Sequence, residues 1–178
     1  MRAIEVRPGT GADVDDAVSV CERSNLARRQ GNWSSRPGRV AQITASRHDA
    51  AGHDTASWFL IGREGTEAVA LALVQPFRAD GGSGDVIVGA WFLNLIYVLP
   101  ERWGKSIGGM LLDAVIEEAK RRGCHRISLW THEHQNERAH RLYRSRSFAP
   151  TGRTMHDDEG KPIGEWCCGL LSTAPYSQ

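Results

Sequence analysis

The chain has 178 residues, 40% of them apolar and 24% charged, with a formal net charge of +1. That suits one domain able to bury a real core, gives no global charge for nucleic-acid binding, and leaves no apolar run of about 18 residues to span a membrane. The first residues lack the apolar centre of a secretory leader, and the four cysteines (Cys21, Cys124, Cys167, Cys168) show no C-x-x-C spacing. A reducing cytoplasm is therefore the expected compartment.

Ala3 to Arg7 alternates and is β-branched, which predicts an opening strand. Thr10 to Asp13 has the form of a capping box, with a threonine cap and an acid three residues on. Val14, Ala17, Val18 and Cys21 then mark the buried stripe of a first helix. Arg28 to Pro37 breaks that pattern, and Arg39 to Ala51 is compatible with a second, weaker helix. Ser57 to Arg63 and Ala68 to Gln75 read as two strands joined at Glu64-Gly65-Thr66. Asp80 to Asp85 is a glycine-rich loop without the regular spacing of a calcium site.

The next stretch carries the most information. Trp91 to Val98 is rich in aromatic and β-branched residues and predicts a buried strand that Pro100 ends. A turn follows at Trp103-Gly104-Lys105-Ser106. Ile107, Leu111, Ala114 and Val115 then recur at helical spacing, and Gly123 after Lys120-Arg121-Arg122 stops the helix. A helix N-terminus has unpartnered N–H groups and about half a positive charge, so it favours an anion. Gly104, Gly108 and Gly109 permit close approach of a phosphate, although glycines in a first turn cost roughly 1 kcal/mol each. Gly104-Lys105-Ser106 is not the end of a nucleotide-binding P-loop, because position 99 is Leu where that motif needs glycine. Charge agrees: Glu101 to Arg146 holds ten Lys/Arg against six Asp/Glu, and the rest of the chain twelve against fifteen.

The segment IYVLPERWGKSIGGMLL resembles the acyl-CoA-binding motif of the GNAT (Gcn5-related) N-acetyltransferases. That pattern is Arg or Gln, two residues, Gly, one residue, then Gly or Ala. Its slots fall on Trp103, Ser106 and Gly108, so Trp and Ser stand where Arg or Gln and Gly are usual. The resemblance implies that Trp103, Gly104, Lys105, Ser106, Ile107, Gly108 and Gly109 cradle a CoA pyrophosphate. It also implies that the backbone of Ile96, Tyr97 and Val98 meets the thioester oxygen and pantetheine amides.

Arg126 to Thr131 predicts the next strand and Asn136 to Ser145 a short helix. Ala149 to His156 and Ile163 to Leu171 form a last hairpin, turning at Asp158-Glu159-Gly160-Lys161. Asn136, Ala139, Leu142, Tyr143 and Phe148 resemble the second GNAT signature, with Ser147 at a glycine slot. The whole order, β-α-α-β-β-β-α-β-α-β-β, is similar to the family's. The resemblance implies the α/β (α+β) GNAT fold over residues 1–178, a mixed central sheet of about seven strands flanked by about four helices. It further implies Tyr143 as general acid to the leaving thiolate, Asn136 as a cofactor contact, acetyl-CoA as co-substrate, and a small-molecule or peptide amine as acceptor. Homodimerisation is common in that family, and neither a metal nor a membrane is implied.

No general base is assigned. Trp91-Phe92-Leu93-Asn94 holds no acid where the family often has a glutamate on the central strand, while His132, Glu133 and His134 are candidates. His132-x-His134 lacks a third placed ligand for a metal. The cysteines read as packing residues, which favours direct transfer over an acyl-enzyme. A non-catalytic acyl-CoA-binding module stands as the alternative, with a nucleotide-binding protein more distant.

Overall fold

The computed structural model describes residues 3–28, 57–80, 84–134, 136–157 and 159–170. The predicted weaker helix at Arg39 to Ala51 lies outside the described residues, as do most of the break after Arg28, Gly81 to Ser83, Asp158 and Leu171. Among the described residues there are seven strands: β1 (Ile4–Pro8), β2 (Trp58–Glu64), β3 (Glu67–Arg78), β4 (Val86–Val98), β5 (Arg126–His132), β6 (Ala149–His156) and β7 (Pro162–Gly169). The helices among the described residues are α1 (Val14–Arg28), α2 (Ile107–Arg121) and α3 (Glu137–Arg144). The sheet order is β1-β2-β3-β4-β5-β7-β6, mixed because β4 and β5 run parallel while β5 and β7 run antiparallel. No described helix is long and apolar enough to cross a membrane.

The chain divides into two compact units, one of Met1–Gln75 with Asn94–Val115 and the other of Pro76–Leu93 with Ile116–Gln178. In the first, β1 pairs antiparallel with β2, from Ile4 opposite Glu64 to Pro8 opposite Leu60, and β2 continues into the hairpin with β3. Val69 to Val74 are fully buried on both faces of β3, so the sequence there is a continuous apolar run with no alternation. β3 passes through Pro76, beyond the expected end at Gln75. A proline withholds one donor, but its fixed φ is compatible with extended backbone.

Asp13 organises the start of α1. Its carboxylate accepts from the N–H and hydroxyl of Thr10 at 2.9 and 2.8 Å, and from Arg7 on β1 at 2.7 and 2.9 Å. Arg63 on β2 donates to Oδ1 of the same carboxylate at 2.9 Å. One buried carboxylate thus ties β1, β2 and α1 together. The buried side of α1 is Val14, Ala17, Val20, Cys21, Ser24 and Asn25. Val18, expected in the stripe, is half-buried, because steps of three and four residues from Ala17 land on Val20 and Cys21 instead.

In the second unit β7 pairs with both β5 and β6. β4 begins at Val86, five residues before the expected Trp91. Gly89, at φ +73°, breaks the apolar pattern there while its carbonyl accepts the His125 N–H at 2.8 Å. α3 packs on β7 through the Trp166 indole, which stacks on His140 with centroids 4.9 Å apart. It ends in a turn where Phe148 N–H donates to the Tyr143 carbonyl at 3.1 Å and Ser147 takes φ +63°. That left-handed conformation costs an L-residue about 1–2 kcal/mol and is the reason for glycine at such helix ends. Ser147→Gly is therefore expected to stabilise by about 0.5–1 kcal/mol after the extra unfolded-state entropy of glycine is subtracted. Equilibrium urea unfolding checks this, and a destabilised variant would contradict the strain argument.

Candidate active site

The turn expected to hold an anion belongs to the first unit. Directly after β4 comes Leu99, fully buried, whose N–H donates to the Val69 carbonyl at 2.9 Å. Pro100–Arg102 forms one turn of 3-10 helix, as expected where proline ends the ladder. The chain then reverses through Gly104 at φ +82° and Ser106 at φ +60°. Ser106 carbonyl accepts the Met110 N–H at 3.1 Å, making Ser106 the residue before the helix. The amides that follow have no intrahelical acceptor and sit at the positive end of the α2 dipole. Ile107 anchors that end in the core, with 1% of its surface exposed. Gly109 is buried and Gly108 half-buried, while Gly104, Lys105 and Ser106 are exposed.

Both serines at glycine slots, Ser106 here and Ser147 after α3, keep the left-handed backbone that a glycine would take. At both slots the residue is not glycine, yet the backbone lies in the region that favours glycine. Trp103 is a different case. Its indole N–H donates to the Val98 carbonyl at 2.7 Å, closing the turn against the end of β4, and 47% of its surface is exposed. It supplies packing and an aromatic face, but no cation. Arg102 does not replace that cation, since its guanidinium binds Glu64 at 2.8 Å and Glu67 at 3.1 Å. The exposed Lys105 is the cation within the turn itself.

Ile96, Tyr97 and Val98 are half-buried on β4. The Tyr97 hydroxyl donates to Asn25 Oδ1 at 3.2 Å, so its side chain is committed to α1. Asn94, in the stretch that lacks an acid, donates to Gln75 Oε1 at 2.8 Å.

The second unit carries the remaining candidates. Tyr143 on α3 is 7% exposed. Its ring is tilted against Phe148 and Trp166, at centroid distances of 6.0 and 6.3 Å. Asn136 precedes α3 and donates to Thr131 Oγ1 at 2.7 Å, which fixes the start of α3 to the end of β5. His132 closes β5 with Nε2 3.7 Å from Asp157 Oδ2, and its carbonyl lies 2.9 Å from His140 Nε2. Of the three base candidates it is the one beside a carboxylate; Glu133 and His134 are exposed. Asp157 is not legible as its neighbour, because the contact joins residues far apart in the sequence across the intervening β7.

The Cys124 and Cys168 thiols are poor nucleophiles. Burial pushes the Cys124 and Cys168 thiols above the ordinary cysteine value, and thiolate is the reactive form. Cys124 donates to the Arg126 carbonyl at 3.0 Å, and Cys168 to the Arg146 carbonyl at 3.4 Å. Among the described residues no group of three or more His, Cys, Asp or Glu is placed to hold a metal ion.

Known proteins share the family pattern and the fold. The profile of the Acetyltransferase (GNAT) family matches residues 22–148. Among solved structures the fold is similar to the ribosomal-protein-S18-alanine N-acetyltransferase from Escherichia coli, at 16% identity and TM-score 0.72, with 99% of each chain covered. It is also similar to yncA from Salmonella typhimurium with its cofactor acetyl-CoA, at 22% identity and TM-score 0.70, with 98% of each chain covered. A third is the paiA N-acetyltransferase from Thermoplasma acidophilum in complex with coenzyme A, at 19% identity and TM-score 0.64, covering 92% of this chain and 98% of that one. No curated protein sequence matches the chain.

Proposed function

The chain belongs to the GNAT acetyltransferase family, and from that premise we propose that it moves an acetyl group from acetyl-CoA to an amine by direct transfer in a ternary complex. The observation that carries the proposal is the left-handed Ser106 at the start of α2. It retains the glycine-type turn that frees the helix amides for a pyrophosphate, despite the change of residue. Trp103, Gly104, Lys105, Ser106, Ile107, Gly108 and Gly109 are assigned to the diphosphate. The β4 backbone at Ile96, Tyr97 and Val98, with Asn136, is assigned to the pantetheine arm and thioester.

In the proposed reaction the amine nitrogen forms a bond to the thioester carbon, and the carbon–sulfur bond of the resulting intermediate breaks. The Tyr143 hydroxyl gives its proton to the departing sulfur, and the proton shed by the new amide nitrogen, passed through solvent, restores the phenol. A phenol near pKa 10 donating to a thiol near 8.5 is uphill by roughly 2 kcal/mol, tolerable when coupled to collapse of the intermediate. The attacking amine must first lose its own proton. For a primary amine with pKa of about 10.4 this costs roughly 4–5 kcal/mol at neutral pH. Raised thiol pKa values at Cys124 and Cys168 support direct transfer over an acyl-enzyme. A second reading, an acyl-CoA-binding module without turnover, draws on Trp103 and on the absence of a carboxylate from Trp91 to Asn94.

The test is release of CoA thiol from acetyl-CoA across a panel of amines, with mass spectrometry of the protein. Thiol release that depends on amine, with no acetylated protein when acetyl-CoA is added alone, is the expected result. A stable acetyl-protein would overturn direct transfer. Absence of thiol release with every amine in the panel would favour the binding-module reading.

A further inference from the structure

We infer that the face of β5 and β7 opposite α3 carries a subsite for a carboxylate, built from Arg126 and Arg153, and that the acceptor is an amine bearing such a group, as a free amino acid does. This inference rests on the acyl-transfer reading and names the class of acceptor within it.

Side chains alternate across the strand pair. Trp166 on β7, with Leu129 opposite it on β5, faces α3 and Tyr143. Arg126, Ser128 and Glu165 emerge on the other face, where Arg126 Nη2 donates to Glu165 Oε1 at 3.0 Å and Arg126 Nε to Ser128 Oγ at 3.0 Å. Glu165 is 1% exposed. Its second oxygen accepts from the Thr151 hydroxyl at 2.9 Å and lies 3.5 Å from Arg153 Nη1. A buried carboxylate needs a counter-charge, and one of the two guanidiniums is enough to supply it. Arg153 makes the cluster net positive by one.

The arrangement is accessible and held in place. The Arg126 and Arg153 side chains are 36% and 55% exposed, in contrast to the carboxylate they share. Arg126 lies over the Phe77 ring at 5.1 Å, with Nε and Nη2 both bonded, so its plane is fixed before any ligand arrives. Its Nη1 bonds to no described group, and most of the Arg153 fork is likewise uncommitted. Arg126 Nη1 can donate to one oxygen of a carboxylate, and the open edge of Arg153 can take the other. With the thiolate's proton donor on the α3 side, an acceptor held by this subsite enters from the opposite side of the same strands.

The experiment is calorimetric titration of free amino acids, of the matching amino-acid amides and of a diamine, each with and without CoA. The kcat/KM for each amine is measured alongside. The amides keep the amine and lose only the carboxylate. At least tenfold tighter binding of acid than amide is expected, reduced to near parity in Arg153→Ala and partly restored in Arg153→Lys, with kinetic losses mainly in KM. Equal binding of acid and amide, no detectable binding of either, or a preference for the diamine would overturn the subsite. An acid preference that survives Arg153→Ala would also overturn it. Failure of CoA itself to bind would sink the acyl-transfer reading, while the acid-to-amide ratio without CoA still decides the subsite.

Discussion

Tyr143→Phe is expected to lower kcat about a hundredfold or more while leaving CoA affinity essentially unchanged. General-acid catalysis contributes roughly 10²–10⁴ in rate, and the substitution removes one hydroxyl without altering the ring. The contacts with Phe148 and Trp166 are made by that ring, at 6.0 and 6.3 Å between centroids, so the packing of α3 on β7 is kept. Turnover of an acetyl thioester of a more acidic thiol gives an internal control. A better leaving group needs less help from a proton, so the defect should shrink with that donor. An undiminished kcat would identify Tyr143 as a packing residue. Loss of CoA affinity together with turnover would indicate a distorted site, not a missing acid.

The second large effect concerns stability. Asp13→Ala is expected to cost about 3–5 kcal/mol, because it leaves charged partners without the buried carboxylate they share. Asp13 is 2% exposed, and its removal cuts the links to Arg7 and Arg63 as well as to the backbone of Thr10. The pH dependence follows from the same contacts. Hydrogen bonding from Arg7 above all, aided by Thr10 and Arg63 and opposed by burial, holds the carboxyl well below the usual aspartate range. A carboxylate whose folded pKa is depressed stabilises fully above its unfolded pKa of about 3.9, and that contribution falls away as pH drops further. The stability gap between wild type and Asp13→Asn, read by urea unfolding, should therefore be constant from pH 7 to about pH 5 and shrink below about pH 4. A gap independent of pH would mean that Asp13 acts through shape and not through charge.

The sequence showed most plainly what is local. The strand ending before Pro100, the turn at Trp103 to Ser106 and the helix from Ile107 are contiguous, and their apolar spacing and turn residues state their conformation directly. The same holds for α3, where Asn136 to Phe148 reads as one short helix with a turn. The serines at 106 and 147 looked like departures from a glycine pattern, since residue type cannot reveal that the left-handed backbone persists. β4 was read too short because Gly89 interrupts the apolar run while the strand continues through it. Contacts distant in sequence were not legible. Arg126 with Glu165, Asp13 with Arg63, and His132 with Asp157 depend on strand pairing that composition does not specify. The indole bond from Trp103 to the Val98 carbonyl belongs with them, because an isolated tryptophan gives no sign of its hydrogen-bond partner.

The most direct measurement is thermal unfolding in parallel with acetyl-CoA, CoA and ATP. Ligand at a hundred times its dissociation constant stabilises by about 2.7 kcal/mol. For a domain of this size that is roughly a 5–10 °C rise in Tm. A rise with acetyl-CoA and CoA but not with ATP is the result predicted by a pyrophosphate cradle at Gly104 to Gly109. No rise at saturating acetyl-CoA would mean that Trp103 and Ser106 have removed the site, and the acyl-transfer account would fall with it.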